Sequence, residues 1–171
     1  GEVFHRYVLG LYEMLEELTT DYDHILWEGC SGGGGRFDAG FLHYMPQSWT
    51  SDNTDAVERL DIQYGTSLVY PISSMGAHVS AVPNHQTYRE TGLEIRGDVA
   101  MSGVFGYELN LQDMTQEEKA VVLEQVAFYK THRKLLQYGK FHRLLSPFES
   151  DQTAWLFVNG DQSQAIGFYF R

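Results

Sequence analysis

The chain has 171 residues, of which 43% are hydrophobic, and its formal net charge at pH 7 is −11. This size and apolar content suffice for one ordinary hydrophobic core. The acidic charge argues against a nucleic-acid partner, because phosphate binding depends on clustered lysine and arginine. No apolar run approaches the roughly 20 residues that cross a bilayer, so we predict no membrane partner.

Several features bear on where the protein resides. No basic segment followed by an apolar core marks a signal peptide. A single cysteine, Cys30, cannot form an internal disulfide, which is typical of a reducing cytoplasm. We therefore predict a cytoplasmic protein, although a targeting segment could lie outside the given chain. Both ends read as cut, because a helical pattern begins without a cap and the last residues form a strand without a partner.

The first half of the chain predicts alternating helices and strands. Apolar residues at helical spacing indicate a helix over about Val3–Leu18, and His24–Trp27 is typical of a strand. The elements expected next are a short helix, a strand and a helix: Ala39–Tyr44, Gln47–Thr50 and about Ala56–Leu68. Alternation of this kind favours a parallel sheet with right-handed crossovers.

The second half continues this alternation before the pattern changes. Strand-like Ala77–Val82 and Val99–Val104 flank a polar loop that contains proline. A long helix is expected over about Gln116–Tyr138, because Thr115 with Glu118 three residues later forms a capping-box pattern. The α/β class follows from these elements.

The last part of the chain predicts an antiparallel structure. Beyond Pro147, Trp155–Val158 and Ala165–Phe170 flank the turn residues Asn159-Gly160, a pattern typical of a β-hairpin. We therefore divide the chain into residues 1–146, an α/β part, and residues 147–171, the start of a β domain.

A glycine-dense loop, Cys30-Ser31-Gly32-Gly33-Gly34-Gly35, follows the first predicted strand. Glycines have no side chain to keep a ligand from the backbone, so their N–H groups can bind it directly. A flexible solvent loop with a buried, small apolar Cys30 is the alternative. A phosphate cradle is disfavoured because the Gly-Lys-Ser/Thr ending of a P-loop is absent.

Two aspartates follow the second predicted strand, and helix geometry separates them. Asp55 precedes Glu58 by three residues, as a helix N-cap with reciprocal bonding by Glu58 requires, so we expect backbone N–H groups to occupy the Asp55 carboxylate. Asp52 lies one turn earlier and is left free for proton chemistry. The alternative is that both residues only terminate the loop.

Aromatic and histidine side chains offer weaker signals. Trp27 and Trp49 could present a flat face to a sugar, although aromatic residues at strand ends commonly cover a core. His78 and His85 lack the spacing and the further ligands of a metal site, so we expect hydrogen-bonded structural histidines and no metal or other cofactor.

The chain resembles the bacterial α-galactosidases of glycoside hydrolase family 36 over nearly its whole length. The matching segments, in chain order, are Cys30-Ser31-Gly32-Gly33-Gly34-Gly35-Arg36-Phe37-Asp38, Pro46-Gln47-Ser48-Trp49-Thr50-Ser51-Asp52-Asn53-Thr54-Asp55, Ser74-Met75-Gly76-Ala77-His78-Val79-Ser80 and Gly106-Tyr107-Glu108-Leu109-Asn110-Leu111. The resemblance implies the second half of a TIM (β/α)8 barrel followed by the beginning of an antiparallel β domain. It also implies a retaining hydrolase that removes terminal α-galactosyl groups from sugars such as melibiose and raffinose.

The resemblance also implies roles for residues. Asp52 is the expected acid/base, and Cys30, Ser31, Gly32 and Gly33 are expected along the galactose, with Trp49 as a further substrate contact. The nucleophile of the family lies in a Lys-Trp-Asp motif, which has no counterpart here, so we expect it in a missing N-terminal part of a longer parent. Family members commonly form tetramers, and the same is expected of the parent.

Two alternatives to a hydrolase remain open. A transglycosylating relative would differ only in how an acceptor competes with water, on which the sequence is silent. A noncatalytic sugar-binding fragment is disfavoured for the parent by the intact Ser51-Asp52-Asn53-Thr54-Asp55 segment. For this chain in isolation, we expect no catalytic activity.

Overall fold

The computed structural model describes residues Gly1–Arg171 and contains two β-sheets. The first is a four-stranded parallel sheet with the order β1-β2-β3-β4. Its strands are β1 (Glu28–Gly29), β2 (Gln47–Trp49), β3 (Met75–Ser80) and β4 (Val104–Glu108). The accompanying helices are α1 (Glu2–Asp21), α2 (Ala39–Tyr44), α3 (Ala56–Ser67), α4 (Leu93–Met101) and α5 (Gln116–Tyr138). None of these helices combines the length and apolarity that would let it cross a bilayer.

Strand β3 shows how the sheet separates core from site. Its residues Met75, Ala77 and Val79 are fully buried and belong to the hydrophobic clusters formed with the helices. Because successive side chains of a strand alternate between faces, Gly76 and His78 lie on the opposite face. That face carries the polar and aromatic groups of the candidate site.

Local capping signals place the helix starts as predicted. Thr115 and Glu118 form both hydrogen bonds of the expected capping box, at 3.2 and 2.8 Å. Asp38 caps α2 by accepting the N–H of Phe41 at 2.7 Å. The helices predicted over Ala39–Tyr44 and Gln116–Tyr138 have the predicted bounds.

Two predicted strands are wrong. Residues 24–27 are not a strand: α1 extends to Asp21, the next residues form a turn closed by the N–H of Ile25 and the carbonyl of Tyr22 at 3.0 Å, and β1 begins only at Glu28. The segment predicted over Val99–Val104 is the end of helix α4, and β4 begins at Val104. Short apolar runs carry no periodicity that distinguishes a buried helix end from a strand.

The second sheet is antiparallel and has the order β5-β6-β7, formed by Lys140–Leu145, Thr153–Val158 and Ala165–Phe170. It begins at Lys140, so Pro147 lies in the β5–β6 connection and not ahead of the sheet. Its core is continuous with that of the α/β part. Trp155 is fully buried in the cluster that contains Met75, and its indole N–H donates to the Ser102 hydroxyl at 2.9 Å. The division into two domains stays a prediction.

Candidate active site

The glycine-dense loop is a hydrogen-bonded turn directly after β1. Gly32, Gly33 and Gly34 have φ values of 59°, 74° and 89°, in the left-handed region that favours glycine. The N–H of Gly35 donates to the carbonyl of Ser31 at 3.0 Å and closes the turn. The glycines are therefore required by the backbone conformation of this loop.

The turn packs against the chain that follows β2. A Cβ atom on Gly33 would lie 2.7 Å from the backbone nitrogen of Asp52, and one on Gly34 would lie 3.0 Å from the carbonyl oxygen of Thr50. The contact at Gly33 requires the backbone to shift for any larger residue, and at Gly34 a tight contact adds to the strain of a positive φ. The fold thus joins the two segments in which the sequence placed the candidate chemistry.

The segment from Ser51 to Asp55 forms the strand tip. The Ser51 hydroxyl accepts the N–H of Asn53 at 3.1 Å, and the Asn53 side-chain carbonyl accepts the N–H of Asp55 at 3.1 Å. Asp55 in turn caps α3 by accepting the N–H groups of Val57 and Glu58 at 2.8 and 3.1 Å. Asp52 is exposed and takes no part in this cap, so its carboxylate remains available to a substrate.

Asp55 is held as a structural carboxylate, and its predicted role as N-cap is confirmed. Its side chain is buried, and burial alone raises the pKa of a carboxyl group. Hydrogen bonds from the Thr87 hydroxyl at 2.6 Å, the Glu58 backbone and the Arg89 guanidinium outweigh this effect, so the pKa of Asp55 is lowered. The carboxylate of Glu58 does not complete a capping box and instead lies 3.4 Å from Arg89.

Polar atoms without a hydrogen-bond partner lie at and just before the start of the loop. Cys30 is exposed and forms no disulfide, which contradicts the alternative of a buried cysteine. The hydroxyl oxygen of Ser31 is buried without a hydrogen-bond partner, as is the indole nitrogen of Trp27. Buried polar groups are rarely left unpaired, so the Ser31 hydroxyl is an unsatisfied group at the base of the turn.

Trp49 is 8% exposed and packs inside the site. Its ring centroid lies 4.6 Å from that of His78 and 4.5 Å from the Cζ atom of Arg59. His78 also places Nδ1 3.5 Å from the carboxylate of Glu108. Trp49 therefore has little free surface in this chain, and direct contact with a sugar stays a prediction.

The arrangement does not suggest a metal centre or a closed pocket. No three His, Cys, Asp or Glu side chains cluster in a way that could hold a metal ion. The largest cavity, of about 540 Å³, is lined by residues of α4, α5 and β7, among them Asp98, Gln125 and Phe168, and by none of the predicted site residues. The candidate site is instead an open surface at the ends of β1 and β2.

Three residues near the site were missed by sequence reasoning. Arg59 is buried beside Trp49, and Thr87 and Arg89 both bind Asp55. Arg59 directly follows the capping motif of α3 and lies on the same buried helix face as Leu60 and Gln63. A charged residue on a buried face was the signal in the sequence that could have identified it. Thr87 and Arg89 lie in a loop that offers no local signal for their partner.

Together these features match a segment of a (β/α) barrel, a fold whose functional loops lie at the carboxyl ends of its parallel strands. The chain belongs to the melibiase family, whose model matches residues 1–139.

The sequences of several family members align with nearly the whole chain. α-Galactosidase AgaA of Geobacillus stearothermophilus is 64% identical over 170 residues, which are 99% of this chain and 23% of the relative. α-Galactosidase 1 of Pediococcus pentosaceus is 62% identical over 99% of the chain and 23% of its own length. The bifunctional α-galactosidase/sucrose kinase AgaSK of Mediterraneibacter gnavus is 53% identical over 97% of the chain and 18% of its length. The chain thus spans less than a quarter of these relatives.

Solved structures give the same result. A variant of the GH36 α-galactosidase AgaA in complex with 1-deoxygalactonojirimycin superposes with a TM-score of 0.96 at 65% identity, covering 98% of this chain and 23% of that one. The α-galactosidase from Lactobacillus brevis gives 0.95 at 53% identity, covering 96% and 22%. The predicted family and the predicted fold class are confirmed.

Proposed function

We propose that this chain supplies the acid/base half of a retaining α-galactosidase, with Asp52 as the acid/base residue. The observation that carries the proposal is the direct packing of the glycine turn against the backbone of Asp52. This contact puts a row of backbone N–H groups and an exposed carboxylate at the same end of the parallel sheet. A sugar bound along the turn would therefore present its glycosidic oxygen near a proton donor.

Retaining hydrolysis needs two carboxyl groups about 5–5.5 Å apart, one that protonates the leaving group and one that attacks the anomeric carbon. Asp52 is free for the first role. Asp55 is unsuited to the second, because it is buried and engaged by Thr87, Arg89 and the start of α3. We propose that the nucleophile comes from a part of the longer protein outside this chain.

The galactose-binding surface in this proposal is Cys30, Ser31, Gly32 and Gly33, with Trp49 behind them. The exposed Cys30 thiol offers a polar atom to sugar hydroxyls, and the unpartnered Ser31 hydroxyl, which is buried, would reach one once its side chain turns outward. Structures of AgaA variants are described in complex with raffinose and with stachyose. We extend these sugars, and melibiose, to this protein as substrates.

The test is the stereochemistry of the first product of the whole protein acting on raffinose or melibiose, followed by proton NMR. Release of α-galactose before mutarotation supports the proposal. Release of β-galactose would contradict the retaining mechanism, and binding without turnover would favour a noncatalytic sugar-binding role. Transfer of galactose to sugar acceptors in excess of hydrolysis would favour a transglycosylating relative.

Assembly and location of the whole protein are further parts of the proposal. We expect a homotetramer on the basis of the family resemblance, and a cytoplasmic location on the basis of the single cysteine. Light scattering of the purified protein and fractionation of its source cells test these two expectations separately.

A further inference from the structure

Arg59 is a buried arginine without an acidic partner. It is the fourth residue of α3 and is 2% exposed. Its two hydrogen bonds go to neutral oxygens: Nη1 donates to the Thr50 hydroxyl at 3.0 Å and Nη2 donates to the Gly76 carbonyl at 2.9 Å. Its Nε has no partner. Burial of a guanidinium in such surroundings is unfavourable, and it lowers the pKa of Arg59 to about 10.

The location of these two bonds suggests why the arginine is there. The paired registers of β2 and β3 end at Trp49 and Gly76. Thr50 is the next residue of the chain after β2, and Arg59 links it to Gly76 just past this last pair. The guanidinium of Arg59 thus links β2 to β3 beyond the last backbone pair of the two strands.

Thr50, which Arg59 binds, lies close to Asp52 in the chain. Thr50 is two residues before Asp52, and its carbonyl oxygen would lie 3.0 Å from a Cβ atom placed on Gly34. The glycine turn therefore supports the strand tip through the backbone, and Arg59 supports it through the Thr50 side chain and the face of Trp49. These contacts leave the tip few ways to shift.

Resting on the proposed function, we propose that Arg59 is a positioning residue that fixes the strand tip so that Asp52 meets the leaving group. Arg59 does not itself contact substrate in this proposal. Its effect is transmitted through Thr50, and it is specific to the step that needs an acid. An error of about 1 Å in a catalytic group can cost about 100-fold in rate.

Helix α4 provides a matched control. Arg96 is the fourth residue of that helix, as Arg59 is of α3, and it is 6% exposed. Its Nη1 donates to the carbonyl of Ser80 at the end of β3 at 2.7 Å, and its Nε donates to the carbonyl of Gly92 at 3.3 Å. Arg96 therefore ties a helix to a strand end in the same manner, and it is joined to the Asp52 tip only indirectly, because the Ser80 hydroxyl donates to the carbonyl of Thr54 at 3.0 Å.

The experiment compares Arg59→Met, Thr50→Val and Arg96→Met in the whole protein. Each variant is assayed on raffinose, whose leaving group needs protonation, and on 2,4-dinitrophenyl α-galactoside, whose leaving group needs little. We expect the ratio of kcat/KM values, raffinose over aryl galactoside, to fall about 10- to 100-fold in Arg59→Met and about 3- to 10-fold in Thr50→Val, because kcat/KM reports the glycosylation step, in which Asp52 acts as the acid. The ratio should fall less in Arg96→Met than in Arg59→Met, because Arg96 is joined to the tip only through Ser80.

Each outcome decides the matter. An unchanged ratio in Arg59→Met, or an equal fall in Arg96→Met, would overturn the inference. If Arg59→Met does not fold, Thr50→Val decides alone, because it removes only the acceptor of one hydrogen bond. A wild-type protein that turns over neither substrate would refute the proposed function, whereas an active wild type with unaltered variants refutes only the role of Arg59.

Discussion

Gly33 lies so close to Asp52 that a Cβ atom on the glycine would be 2.7 Å from the backbone nitrogen of the aspartate. The two residues belong to loops after different strands, β1 and β2. Their contact makes the glycine turn and the strand tip one structural unit. Backbone packing then fixes the main chain of Asp52 relative to the turn along which we place the sugar.

Replacing Gly33 by Ala should damage both stability and activity. The left-handed backbone at Gly33 costs a non-glycine residue about 1 kcal/mol, and the steric contact with Asp52 adds about 1–3 kcal/mol of overpacking. Gly32→Ala is the control, because Gly32 also has a positive φ but has nothing within 4 Å of a Cβ. Calorimetry and kcat/KM should show a clearly larger loss for Gly33→Ala. Equal losses in the two variants would contradict the importance of the contact.

Replacing Asp52 by Ala in the whole protein should slow hydrolysis of substrates with poor leaving groups far more than that of activated aryl galactosides. Loss of general acid assistance typically costs about 10²–10⁴-fold, and an activated leaving group departs without it. Azide should partly restore turnover and give α-galactosyl azide, because a small anion can enter the vacated space and attack the β-linked covalent intermediate from that side. Equal losses on both substrate types would remove Asp52 from the acid/base role.

Local signals account for what the sequence predicted well. The cap at Asp55, the capping box at Thr115 and the bounds of α2 and α5 all depend on residues within four positions of one another. The resemblance then identified the family and the barrel. Physical reasoning failed where an apolar run was short, as at His24–Trp27, because such a run fits a turn or a helix end as well as a strand.

Contacts between distant segments could not be predicted from the sequence. Arg89 binds Asp55 across 34 residues, and Arg59 reaches Gly76 across 17. Glycines were expected to admit a ligand, but the structure shows that Gly33 and Gly34 also admit the neighbouring backbone. Both uses need the same absence of a side chain, so composition alone cannot separate them.

Asp55 should stabilise the fold in a pH-dependent way. Its folded pKa is lowered from the ordinary value of 3.8, so its stabilisation is fully present above that value and is lost as the pH falls through the folded pKa. Asp55→Asn retains an N-cap but lacks the ion pair with Arg89, and its stability should fall less between about pH 4 and pH 2. Asp55→Ala should lose about 2–4 kcal/mol at neutral pH, from the cap and the buried hydrogen bonds together.

The measurement is denaturant unfolding of the wild type and both variants across this pH range. The wild type should converge with Asp55→Asn at the acidic end. A constant difference between them at all pH values would show that the charge of Asp55 contributes nothing to stability.

Cys30 should contribute to galactose binding without acting as a nucleophile. The thiol is exposed at the start of the glycine turn, and no histidine is hydrogen-bonded to it as a base. Cys30→Ser should keep net retention and raise KM by several-fold, because a hydroxyl is smaller and more strongly hydrated than a thiol. NMR of the product and steady-state kinetics test both parts, and a covalent sugar adduct on Cys30, found by mass spectrometry, would disprove the assignment.

The chain of residues 1–171 should not hydrolyse α-galactosides by itself. It presents one free carboxylate at the glycine turn, and the other aspartate of the tip, Asp55, is committed to the α3 cap. Acid assistance without a placed nucleophile leaves the covalent step unsupported, which forfeits many of the roughly 8–23 kcal/mol by which enzymes lower barriers. The assay is p-nitrophenyl α-galactoside with purified 1–171, and with the whole protein as the positive control. Turnover by the chain comparable to that of the whole protein would mean that a nucleophile lies within these residues, and Glu108, beside His78 at the end of β4, would then be the first carboxylate to replace.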